Sequence, residues 1–124
     1  MLDTNIYDLI TARPGFGARL HRAVRAGTID ILRTRVQEEE IARIPDAAKR
    51  AAMRAIPGRS IPTVSPAPGP WPTEDALIAM TAAAGAEVLV TEDRELRARV
   101  EATTSRLEVW RFDQLVAFVE APPP

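Results

Sequence analysis

The chain has 124 residues, 46% hydrophobic and 27% charged, which suits one globular domain and leaves no room for a second core. No apolar run approaches the roughly 18 residues a bilayer span needs, and Met1-Leu2-Asp3 lacks the basic and apolar regions of a secretory signal, so no membrane association is expected. Without cysteine there is no disulfide framework and no thiolate metal site, so a cytoplasmic protein is expected; the net charge of −1 permits an RNA-binding face without demanding one. Nearly all the positive charge is arginine, with Lys49 the only lysine. A planar guanidinium matches phosphate oxygens, although an Ala, Arg and Pro bias equally reflects genome base composition.

Taken in chain order, Met1 to Ile6 reads as a very short first strand that ends in the polar turn Asp3-Thr4-Asn5. Phe16 to Ala26 has Phe16, Leu20, Ala23 and Val24 on one helical face, and Gly27 closes that helix. Thr28 to Thr34 alternates as a second strand. Val36 to the break at Ile44-Pro45 is helical, and Asp46 to Ala55 forms a further short helix. Pro57 to Pro72 holds six of the eleven prolines and reads as a loop, since proline cannot continue a helix or a central strand.

Glu74 to Gly85 is apolar on most sides and reads as a central helix. Glu87 to Thr91 contains Val88-Leu89-Val90, a buried strand of the parallel-sheet kind. Arg94 to Thr103 is a charged surface helix, Leu107 to Phe112 a last strand, and Gln114 to Glu120 a last helical turn or two. Residues 1–120 thus form a single domain, with a proline-rich tail at 121–124. Strands alternating with helices predict a three-layer α/β/α fold around a short parallel sheet.

In such a sheet, chemistry gathers just outside the carboxyl ends of the strands. Four acids fall there: Asp3, Glu40, Asp75 and Asp93. Each has a plain structural reading on its own. Asp3 suits an Asx turn, Asp75 a first helical turn, Asp93 a helix cap, and Glu40 a solvated face in the run Glu38-Glu39-Glu40. Together they would repel and raise one another's pKa. A divalent cation neutralises such a cluster, and hard oxygen ligands suit Mg²⁺ or Mn²⁺. His21, the single histidine, sits beside Arg22 on an amphipathic helix and reads as a surface residue. Ser60 and Ser65 have no base in view, so no triad is suggested.

The strings MLDTNIYDLI, TRVQEEEI and EDALIAMTAAAGAEVLVTEDREL resemble the successive signature segments of PIN domains, the family that includes VapC-type toxins. The resemblance covers nearly the whole chain, and its most specific part is the central helix with Thr91–Asp93. It sets the family's first acid on Asp3, with Asn5 as polar companion. The second falls on Glu40 before Ile41, with Glu39 as the neighbouring alternative. The third falls on Asp75, ahead of Leu77, Ile78 and Ala82, and the fourth on Asp93, with Thr91 as hydroxyl neighbour. Three features depart from the family's pattern. The first strand has only two residues before its acid, which puts in question either the start of the chain or the stability of that strand, and not Asp3 itself. Glu92 and Glu95 stand where many relatives carry Asn or Asp. The segment Pro57–Pro72 is unusually rich in proline.

The resemblance implies a metal-dependent endoribonuclease, in which Asp3, Glu40, Asp75 and Asp93 hold Mg²⁺ or Mn²⁺ while Asn5 and Thr91 orient ligands or water. It also implies the toxin of a type II toxin–antitoxin pair, held inactive by an antitoxin protein and paired as a homodimer. A non-catalytic PIN-fold module for RNA or protein interaction is the alternative, and a purely structural α/β domain a third. A pure scaffold has no physical reason to hold four acids together.

Overall fold

The structure is a computed structural model that describes the backbone of residues 1–62, 73–103 and 106–121, with all their side chains except those of 73–77 and 103. It is a mixed α/β arrangement in which helices predominate and the strands are short. In chain order the elements are α1 (Thr4–Ala12), α2 (Phe16–Arg25), β1 (Leu32–Arg33), α3 (Arg35–Ala42), α4 (Ala47–Ala55), β2 (Arg59–Ser60), α5 (Thr73–Gly85), β3 (Val88–Val90), α6 (Arg94–Thr103), β4 (Glu108–Trp110) and α7 (Phe112–Glu120). No helix among the described residues is long and apolar enough to cross a membrane.

The first strand is shorter than expected. Only Leu2 pairs, in a parallel bridge with Val90, and the Asp3 N–H donates to the Val90 carbonyl at 2.9 Å. From Thr4 onward the chain is helical, because the Asp3 carboxylate accepts the Thr4 N–H at 2.8 Å and caps α1. Ile6, Tyr7 and Ile10 then bury one face at helical spacing. The helix α2 ends as its glycine predicts. Gly27 takes φ +76°, its N–H bonds Val24 and the Thr28 N–H bonds Ala23, the paired closure that only a left-handed residue permits.

Strand pairing is parallel throughout. β3 aligns Val88, Leu89 and Val90 with Glu108, Val109 and Trp110 of β4. β1 aligns Leu32 and Arg33 with Arg59 and Ser60 of β2. β2 corrects the reading of Pro57–Pro72 as unbroken loop. Its two residues are exposed and polar, with no apolar alternation to mark them. The rest of that proline-rich stretch, from residue 63, lies outside the described residues.

Side chains alternate across β3, as a pleated strand requires. Val90 packs with Leu2, Ile6, Tyr7, Ile10, Phe16 and Leu115 in one core cluster, and Leu89 with Met1, Ile78, Ala82, Leu96 and Val100 in another. Each cluster is sealed by helices, so β3 is covered on both faces and its carboxyl end is held in a fixed position.

Candidate functional site

Three segments meet where β3 ends. Asp3 follows the bridge residue Leu2, Thr91 and Asp93 follow β3, and Arg111 follows β4. Parallel pairing sends all three out at the same edge. Thr91 is buried, and its hydroxyl donates to Asp3 Oδ2 at 2.8 Å while accepting the Asp93 N–H at 3.0 Å. One hydroxyl therefore links two acids ninety positions apart in the chain.

Asp3 is 9% exposed, and that burial pushes its carboxyl above the ordinary value. Bonds from the Thr91 hydroxyl and the Thr4 N–H offset part of the rise, and the charge of Asp93 adds to it. Asp93 uses Oδ1 to accept the Glu95 and Leu96 N–H groups at 2.9 and 3.1 Å, which caps α6. The plain cap reading of Asp93 is thus satisfied, and its Oδ2 is not engaged by that cap.

The remaining expected residues are distributed differently. Glu40 is half-buried on α3, and among the described acids Asp93 is the one whose charge reaches Asp3. Glu39 is exposed and pairs with Arg35 at 3.3 Å, one helical turn earlier. Asn5 is exposed in the first turn of α1. Asp75 lies on the backbone of α5, and its side chain is outside the described residues. Among the described residues no group of three or more acidic or histidine side chains is arranged to hold a metal.

Sequence reasoning missed Gln37, the α3 residue that does reach this edge. Gln37 is fully buried, and its Nε2 donates to the Leu2 carbonyl at 2.5 Å while its Oε1 accepts the Thr34 N–H at 3.1 Å. Thr34 Oγ1 accepts the Gln37 N–H in return, a capping box that the spacing Thr34-x-x-Gln37 announces. Glu40 stands three residues further along α3, about 4.5 Å down the helix axis.

Beside the acids opens a cleft of about 390 Å³ lined by Thr91, Glu92, Asp93, Arg94, Arg97, Arg111 and Asp113. It sets guanidinium groups next to Asp93, the member of the acid pair that lines it. No family model matches the chain, and no curated protein or solved structure matches it either.

Proposed function

We propose that this protein is a metal-dependent endoribonuclease with a three-layer PIN-like fold, whose catalytic centre is built on Asp3 and Asp93. The observation that carries the reading is the Thr91 hydroxyl, which ties the buried Asp3 carboxylate to the backbone of Asp93 at the edge where parallel strands end.

The donor set fits a magnesium-like ion. Mg²⁺ keeps several waters and takes one or two protein carboxylates plus substrate phosphates. Both oxygens of Asp3 carry one hydrogen bond each and retain a free lone pair. Asp3 is buried beside a like charge and short of positive charge, which a cation would correct. When bound, the ion supplies a water of lowered pKa and stabilises charge on the scissile phosphate. The chain's own residues fix the geometry. Thr91 sets the Asp3 rotamer, the α6 cap sets Asp93, and burial by the β3 core keeps the Asp3 side free of bulk water. Glu40 and Asp75 complete the proposed set, directly or through water. A toxin role, with an antitoxin partner and a homodimeric state, rests on the resemblance alone.

A second reading, the non-catalytic RNA- or protein-binding module, is favoured by Gln37, because the α3 side chain bonded to the strand end is neutral. A cleavage assay separates the two. The protein should cut RNA internally with Mg²⁺ or Mn²⁺ and stop in EDTA. Asp3→Asn and Asp93→Asn should each lose on the order of 10²–10³-fold, as removing one preorganised electrostatic group does. RNA binding without cleavage, across a broad RNA set and both metals, would leave the module.

A further inference from the structure

The geometry points to a phosphate subsite in the cleft lined by Arg94, Arg97 and Arg111, which holds the backbone of single-stranded RNA beside the Asp3–Asp93 pair. Its role as a substrate site rests on the nuclease reading; its existence as a phosphate site does not.

Arg94 and Arg97 are three residues apart on α6 and so share a face. Arg111 arrives from the end of β4, which pairs with β3 immediately before α6. Three guanidinium groups from two helix starts thus converge on one opening. The cleft also contains three acids, and the balance depends on which charges are already used. Glu92 Oε1 accepts the Phe112 N–H at 2.8 Å at the start of α7. Asp93 accepts two N–H groups of α6. Asp113 pairs with Arg111 at 3.4 Å. Each acid thus has a local partner, but Asp93 keeps Oδ2 free among the described residues, and the three carboxylates balance the three guanidinium groups in formal charge.

Of the cations, Arg111 shares its charge with Asp113, whereas Arg94 and Arg97 keep N–H donors free among the described residues. Arg94 is exposed, and its side chain has no partner among the described residues. Arg97 meets Glu101 at only 3.9 Å and the Val109 carbonyl at only 3.5 Å, and its buried Nε makes no hydrogen bond. The unspent N–H donors of the cleft are those of Arg94 and Arg97, and a phosphodiester is a ligand whose paired oxygens match a guanidinium fork. A phosphate held there would sit beside Asp93, which lines the same cleft.

The test is fluorescence anisotropy of a labelled single-stranded RNA, in EDTA so that cleavage and metal play no part, over a series of salt concentrations. Each phosphate contact on a single strand contributes about 0.7 to the slope of log affinity against log salt. Arg94→Ala and Arg97→Ala should therefore each lower the slope by about 0.7 and weaken binding about fivefold at roughly 0.1 M salt. Single-stranded DNA should lose the same amount, because phosphate contacts do not read the 2′-hydroxyl. Arg25→Ala, at the exposed end of α2, should leave the slope unchanged. Since Arg94 is exposed, its substitution spares the fold whatever Arg97→Ala does.

Slopes that stay at the wild-type value, or fall equally in Arg25→Ala, overturn the subsite, as does a loss confined to RNA. Unchanged RNA slopes together with Arg94-dependent binding of a polyglutamate peptide would give the cleft to a protein partner instead, which also overturns it. Arginine-dependent RNA binding by a protein that cuts nothing in either metal would remove the nuclease reading and leave the subsite standing.

Discussion

Thr91→Val is the most revealing single change, because valine keeps the shape of threonine and deletes only the hydroxyl. Two bonds vanish: the donation to Asp3 Oδ2 at 2.8 Å and the acceptance of the Asp93 N–H at 3.0 Å. Asp3 is 9% exposed and Thr91 1%, so water can restore little. A bond to a charged group contributes about 1.5–3 kcal/mol and a neutral one about 1, giving a cost of about 2–4 kcal/mol at neutral pH. That is a large share of a domain's typical 5–15 kcal/mol. The sign with pH follows from linkage. The hydroxyl favours charged Asp3, so its loss raises the folded-state pKa further while the unfolded value stays put. The native variant then binds more protons, and its stability relative to wild type falls as pH rises from the wild-type folded pKa through the higher folded pKa of the variant. At an acidic pH below the ordinary carboxylate value, where Asp3 is protonated, the cost should shrink to about 1–2 kcal/mol. Urea unfolding of wild type, Thr91→Val and Thr91→Ser at both pH values measures this. Thr91→Ser, which keeps the hydroxyl, should lose only the methyl contribution of about 1 kcal/mol. A Thr91→Val cost below about 0.5 kcal/mol, or one equal at both pH values, would refute the proposed link between the acids.

Asp3→Asn keeps an oxygen for the α1 cap and removes a buried charge. The raised Asp3 pKa means its stabilising contribution is complete below the unfolded pKa and is lost as pH rises through the folded one. The variant should accordingly be more stable than wild type at neutral pH and lose that advantage on acidification; thermal melts that show the reverse order contradict it. Tyr7 is fully buried, its hydroxyl has no hydrogen-bond partner among the described residues, and burial pushes its pKa up against the opposing effect of Arg33. Tyr7→Phe should raise unfolding free energy by about 1 kcal/mol or more, since an unsatisfied buried group costs about 1–3; a loss of similar size in urea titration would mean that the hydroxyl is bonded after all.

Much of the edge was legible from strand-end chemistry. Asp3, Thr91 and Asp93 each stand one or a few residues beyond an apolar run, and parallel pairing leaves such positions no other place to go. Glu40 was harder to read, because a run of three acids offers no internal signal for which one turns inward. The informative residue was just ahead of that run. Gln37 lies three positions after Thr34, and the capping-box spacing marks it as a buried bonding group rather than a solvated one. The helix α1 was hidden behind a polar triplet that suggested a turn, although Ile6, Tyr7 and Ile10 keep helical spacing. β2 carries no apolar pattern at all, since both residues face solvent and its order comes from backbone pairing with β1. The arginine cleft depends on two helices starting side by side, a tertiary fact that local spacing cannot supply.

The central claim is that Asp3 and Asp93 form a divalent-cation site, and calorimetric titration with Mn²⁺ tests it most directly. Wild type should show saturable binding, and a hundredfold excess over the dissociation constant should add about 2.7 kcal/mol of stability in a parallel melt. Asp3→Asn and Asp93→Asn should abolish the binding, whereas Asp8→Asn, a residue tied to Lys49 on another face of α1, should preserve it. Glu40→Gln and Asp75→Asn should weaken it by about 10–100-fold if those acids act through water. Mn²⁺ that binds equally well to wild type, Asp3→Asn and Asp93→Asn, or that binds to none of them, would contradict the site.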